Sequence, residues 1–119
     1  MKIKTSNLTG LALDWAVCEA TGMLAAYTQF RSGKAFRKVW GVAKNTHLHP
    51  STDWAQGGPI IEREKIELGW VVDHWQASKA HNYRKSFHGS DPQHPLIAAM
   101  RCFVTSKLGD EVEIPKEMK

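Results

Sequence analysis

Two stretches of this sequence combine flat rings with positive charge and hold no acid. Such groups together stack on, and neutralise, something planar and anionic. From Ala20 to Thr52 there are five bases, Arg31, Lys34, Arg37, Lys38 and Lys44. From His74 to Ser90 there are three, Lys79, Arg84 and Lys85. Tyr27, Phe30, Phe36, Trp40, Trp75, Tyr83, Phe87 and five of the six histidines fall in the same stretches. The net charge is +4, so the two stretches carry +8 and the remainder −4. Five Trp in 119 residues is a high count, and an exposed indole marks binding more often than decoration. The other reading is a solvated basic surface with its rings turned inward.

Three further features bear on chemistry. Gly57-Gly58, ahead of Pro59, either presents free backbone N–H groups to a phosphate at a helix start or permits close packing of Trp54 or a kink. Arg101 stands in the most apolar segment, where a charge must snorkel, pair, or line a pocket. It forms either a bridge to a carboxylate, with Asp14 on the first helix as the matching oddity, or a fixed fork for a phosphate or carboxylate. His74, His81 and His88 recur every seven residues across a strand, a turn and a strand, a spacing that does not converge on a metal, so we expect no metal site.

Enzyme signatures are absent. There is no phosphate loop, no dinucleotide glycine motif and no nucleophile elbow. Cys18 and Cys102 fall on apolar helices, where a thiol stays protonated and inert, as expected of a reducing compartment. Glu62, Glu64 and Glu67 alternate with Arg63 and Lys65 and read as a solvated helical face.

The elements that must position these groups follow from periodicity and stop signals. Lys2–Lys4 reads as a strand. Leu8–Ala20 reads as a helix, with Leu8, Leu11, Ala12, Trp15 and Ala16 on one stripe and Gly22 as its stop. Met23–Trp40 reads as a strand pair or a strand and loop, for example Leu24–Phe30 turning through Ser32-Gly33 into Phe36–Trp40, and Gly41–Pro50 as loop. Ser51 or Thr52 caps a helix from Trp54 to Ile66, kinked or restarted at Pro59. Trp70–Ala77 reads as one strand, with Tyr83–His88 pairing back on it. Asp91-Pro92 and His94-Pro95 open a last helix that Gly109 ends, before a short strand Glu111–Ile114. The expected architecture is α+β: a small single-domain sandwich of about three helices packed on a mostly antiparallel sheet. A chain of 119 residues buries about two thirds of its unfolded surface, enough for one core. No apolar run approaches the roughly 18 residues of a membrane span, and Asp14 and Glu19 interrupt any signal-peptide core, so no membrane is expected.

The blocks Ser51-Thr52-Asp53-Trp54-Ala55-Gln56-Gly57-Gly58-Pro59-Ile60-Ile61-Glu62-Arg63-Glu64, Pro95-Leu96-Ile97-Ala98-Ala99-Met100-Arg101-Cys102-Phe103 and Lys107-Leu108-Gly109-Asp110-Glu111-Val112, with Thr9-Gly10 and Leu13-Asp14-Trp15-Ala16-Val17, resemble the NinX-like family of small proteins from lambdoid phages. They also look like broader phage domains of α-β-α sandwich type. The blocks span most of the chain; Met23–Lys44 lies outside them. The resemblance implies one NinX-like domain over residues 1–119 and a phage accessory protein made in the host bacterial cytoplasm. It supplies no catalytic residues.

The expected function is therefore occupancy without catalysis and without a cofactor. The ligand would be a small anionic nucleotide-type signal, a cyclic nucleotide or an ADP-ribose derivative, sequestered to blunt host defence. Trp54 and Trp75 would stack on a base. Arg37, Arg84, Lys85 and Arg101, with the Gly57-Gly58 amides, would face phosphates, and Asp53 or Gln56 would read base or ribose edges. So small a domain encloses a ligand best with a pocket shared between subunits, so a homodimer or higher is expected. The alternatives are a protein–protein inhibitor docking its basic-aromatic face on a host protein, and a non-specific nucleic-acid binder. No recognised nucleic-acid-reading motif supports the last.

Overall fold

The computed structural model describes residues 1–21, 49–82 and 85–115. In that span the chain runs β1 (Lys2–Lys4), a 3-10 turn (Thr5–Asn7), α1 (Gly10–Ala20), α2 (Trp54–Glu64), β2 (Glu67–Val71), β3 (His74–Asn82), β4 (Lys85–Asp91), α3 (Pro95–Leu108) and β5 (Glu111–Glu113). Three helices and two antiparallel sheets make the mixed α+β domain that the sequence led us to expect. The expected strands Leu24–Phe30 and Phe36–Trp40 and the stop at Gly22 lie outside the described residues.

The helix α3 is the middle layer. Asp91 accepts from the N–H groups of Gln93 (3.0 Å) and His94 (2.7 Å), and Pro95 supplies the first helical φ without needing a partner. Gly109 ends the helix at φ 92°, a backbone that favours glycine. One side of α3 lies on the sheet β2-β3-β4, and α1 and α2 pack on α3 rather than on the sheet. Hence Leu96, Ala98, Ala99, Met100, Cys102, Phe103 and Val104 are all buried. Burying a Phe103 or Met100 side chain contributes about 1.5–3 kcal/mol.

The first helix starts later than its stripe suggests, because the 3-10 turn intervenes and extended Thr9 precedes it. It also buries seven consecutive residues, Ala12–Cys18, rather than one stripe, since it is covered on more than one side. The α2 cap is Asp53, whose carboxylate accepts from the Ala55 N–H at 2.9 Å; it is neither Ser51 nor Thr52. The helix spans Pro59 without restarting. Glu64 departs from the solvated face expected of it. Its carboxylate meets Lys79, Arg63 and Lys107, which hold its pKa down to about 2 although burial opposes them. Glu67 has left the helix and begins β2.

The expected strand Trp70–Ala77 is instead a hairpin, folded between Val71 and His74. Its turn residue Val72 has φ 56°, a left-handed backbone that a β-branched side chain rarely adopts, so no Gly or Asn announces the turn. β4 pairs with β3 as expected, Ala77 facing Gly89. β1 and β5 pair as a separate ribbon, Ile3 opposite Val112. No described helix is long and apolar enough to cross a membrane.

Asp14 joins α1 to the turn ahead of α2 by accepting from the Ser51 N–H at 2.9 Å. The buried Ser51 hydroxyl sits near this carboxyl but outside hydrogen-bond geometry. Burial pushes the Asp14 pKa up to about 6, against smaller opposing effects of Ser51 and His49. The folded state thus holds this proton more tightly than the unfolded chain. Its stabilising effect is complete below about pH 4 and is lost as pH rises through 6. At about 1.4 kcal/mol per unit, charging Asp14 in place costs on the order of 3 kcal/mol. Asp14→Asn keeps an acceptor for Ser51 N–H and offers a donor to its hydroxyl. Urea midpoints should therefore match wild type near pH 4 and exceed it near pH 8. Parallel pH profiles for the two proteins would contradict this account.

Candidate functional site

A cleft of about 1000 Å³ is lined by six consecutive residues of β4, Lys85–Ser90. Side chains alternate across a strand, so a cleft touching both parities reaches the strand's edge, and His74 and Gln76 of β3 carry its lining over one face of the sheet. That edge pairs with no described strand, since β4 bonds only to β3. The facing wall is Lys4–Ser6 with Gly109–Glu111, and Arg101 and Thr105 of α3 also line the cleft. Thr5 fixes this wall: its N–H donates to Asp110 O at 2.8 Å and its hydroxyl to Gly109 O at 2.7 Å.

Arg101 is the most constrained cation in the cleft. Nε donates to Leu8 O (2.8 Å), and Nη1 to Ser90 O (2.7 Å) and Asp91 Oδ1 (3.2 Å). Nη2 has no protein partner among the described residues. Burial lowers the guanidinium pKa, and Asp91 offsets part of that. The carboxylate bridge expected for Arg101 therefore exists, but its partner is Asp91 at the end of β4; Asp14 is engaged with Ser51 instead. Lys85 lies over the Phe87 ring at 5.3 Å, and Lys4, His74 and His88 add further basic groups to the lining, against Asp110 and Glu111.

Of the residues singled out in the sequence, the cleft brings together Lys85 and Arg101. Arg37 and Arg84 lie outside the described residues. Trp75 is half-buried, edge-to-face with Trp70 at 5.4 Å, and packs on the core. Trp54 is exposed and lines a separate hollow of about 220 Å³ with Ser51, Thr52, His94, Pro95, Leu96 and Ile97. Gln56 accepts from the His49 N–H at 2.7 Å, and Asp53 caps α2, so both polar groups serve the local backbone. Neither Trp, nor Asp53, nor Gln56 lines the large cleft.

Gly57 and Gly58 sit inside α2, and the Gly57 N–H already donates to Asp53 O at 2.9 Å, so no free amide cradle opens here. Gly57 instead allows close packing: a Cβ there would lie 2.5 Å from both Leu96 Cδ1 and Pro50 O, whereas one on Gly58 meets nothing within 4 Å. Gly57→Ala should therefore destabilise by about 1–3 kcal/mol, while Gly58→Ala should stabilise by about 0.5–1 kcal/mol through helix propensity. Thermal unfolding of the two variants should bracket wild type, and equal shifts would refute the difference in packing.

His74 and His88 were weighed only as metal ligands, and Lys4 only as part of a strand; the cleft gathers all three with Thr5. His88 sits opposite Ser78, four residues along β3 from His74, and no group of three or more metal-binding side chains exists among the described residues. Both cysteines are free and buried, the thiol pKa pushed up by burial to about 12 at Cys18, where Asp14 adds to it, and to about 11 at Cys102.

A family model described as Bacteriophage P22, NinX matches residues 4–107. No curated protein matches the chain.

Proposed function

The chain belongs to the bacteriophage P22 NinX family and is a phage accessory protein, and from that premise we propose that it captures a small anionic nucleotide-type signal in the host cytoplasm, by occupancy and without turnover. One observation carries this reading: Lys85, from an acid-free stretch, and Arg101 line one cleft, where Arg101 is fixed as a fork with Nη2 uncommitted. A guanidinium held rigid before the ligand arrives loses little freedom on binding a phosphate. A cleft of about 1000 Å³ suits a ligand of nucleotide size.

Isothermal titration with cyclic nucleotides and ADP-ribose derivatives tests it. At least one should bind with a micromolar or lower Kd, and Lys85→Ala should weaken that by about tenfold with thermal unfolding unchanged. No member binding below roughly millimolar would remove the reading. The second reading, an inhibitor docked on a host protein, gains from the β4 edge, which pairs with no described strand and offers backbone groups to a partner strand. One stoichiometric partner in a pull-down, with no nucleotide bound, would favour it.

A further inference from the structure

Lys85 and Arg101 meet the cleft at different points along β4. The Lys85 ammonium lies over the Phe87 ring, 5.3 Å from its centroid. The Arg101 guanidinium is tied further along the strand, at Ser90 O, and is held there by the Asp91 carboxylate and by Leu8 O. From Phe87 to Ser90 the strand is regular, since the irregularity in its pairing falls on β3 between Ala80 and Asn82. The extended backbone between Phe87 and Ser90 sets the two charges about 10 Å apart. We propose that the ligand of this cleft carries two phosphoryl groups, one on the Arg101 fork and one on Lys85. The proposal rests on the nucleotide-capture reading and narrows it to one class of ligand.

One phosphate is too small to serve both cations. A charge-assisted contact is about 2.8 Å long, so two cations sharing the oxygens of a single phosphate sit at most about 8 Å apart. Lys85 closes the difference only by leaving the Phe87 ring, and Arg101 only by giving up bonds that tie it to β4 and to Leu8. Between the two poles the strand offers neutral hydrogen-bonding groups, Ser86 and His88, which bond each other at 2.9 Å and suit whatever joins the phosphoryl groups. The facing wall sets an upper limit. Asp110 and Glu111 line it, with Lys4 the cation paired across from Glu111 in the ribbon, so a third phosphate there meets like charge. Two phosphoryl groups occur either bonded to each other in a diphosphate or separated as two phosphodiesters, and both present the same chemistry to the two cations.

Isothermal titration compares probes with two phosphoryl groups, ADP-ribose and a cyclic dinucleotide, against probes with one, AMP and cyclic AMP. At least one of the first pair should bind about tenfold or more tightly than both of the second. Lys85→Ala should bring that affinity down to the level of the one-phosphate probes and leave theirs unchanged, because a single phosphate takes the preorganised fork. Lys85→Arg, which keeps the charge, should keep the difference. The tighter of ADP-ribose and the cyclic dinucleotide identifies whether the phosphoryl groups are adjacent or separated. Thermal unfolding checks that each variant stays folded. A one-phosphate probe as tight as either two-phosphate probe, or a difference that survives Lys85→Ala, would overturn the proposal while leaving ligand capture standing. Binding by none of the four would remove capture itself, so the two failures read out separately.

Discussion

Gly89→Ala should lower Tm by about 10 °C or more, the largest effect expected of a methyl added at any described glycine. Gly89 sits on β4 opposite Ala77, which is fully buried, where α3 comes down on the sheet. A Cβ at position 89 would overlap the Ala98 carbonyl oxygen and the Cys102 amide nitrogen and would reach 3.0 Å from Cys102 Cα. All three are backbone atoms in the interior of a helix, so no side chain can swing away. Relief requires α3 to lift off β4, and α3 also carries Met100, Phe103 and Val104 into the core. Overpacking of this kind costs about 3 kcal/mol. Gly58→Ala supplies the control, since it adds the same methyl to open space. If Gly89→Ala melts within about 2 °C of wild type, α3 does not approach the sheet this closely.

The packing behind that prediction shows what the sequence disclosed and what it hid. Local signals were legible: Pro95 and Gly109 bound α3, and the β3–β4 hairpin follows from the run His74–Ser90. Signals that depend on what lies across the interior were not. The α1 stripe was drawn too narrow because the sequence cannot tell how many sides of a helix are covered. The β2–β3 turn was missed because turn chemistry is read from Gly, Asn and Asp, and here Val72 takes the left-handed position. At the candidate site, Lys85 and Arg101 stood out by charge against their surroundings. Lys4, Asp110 and Glu111 did not, because only the pairing of the two chain ends, β1 with β5, brings them beside β4. Asp53, Gln56 and Gly57 stood out for polarity and conformational freedom, and the fold spends both on a cap, a turn and a close contact.

Arg101→Ala should cost about 3 kcal/mol, because one side chain holds three parts of the chain together. It bridges Leu8 O before α1, Ser90 O on β4 and the Asp91 carboxylate. The Arg101 and Asp91 side chains are only 12% and 11% exposed, so removing the guanidinium leaves a largely desolvated charge and two carbonyls without their donor. Asp91 keeps the Gln93 and His94 N–H groups, which is why the loss stops short of unfolding the chain. Arg101→Lys should fall between, since an ammonium supplies the charge but not a planar fork spanning Leu8 and Ser90. Adding Asp91→Asn to Arg101→Ala should recover part of the loss, with a coupling of about 1–2 kcal/mol in the double-mutant cycle. Urea unfolding followed by tryptophan fluorescence measures each step, and an Arg101→Ala protein within about 1 kcal/mol of wild type would show the bridge to be ornamental. The same set separates structure from capture. Arg101→Lys, held below its own unfolding transition, should lose ligand affinity beyond what its stability loss accounts for, because the fork that fixes Nη2 in the cleft is gone while the charge remains.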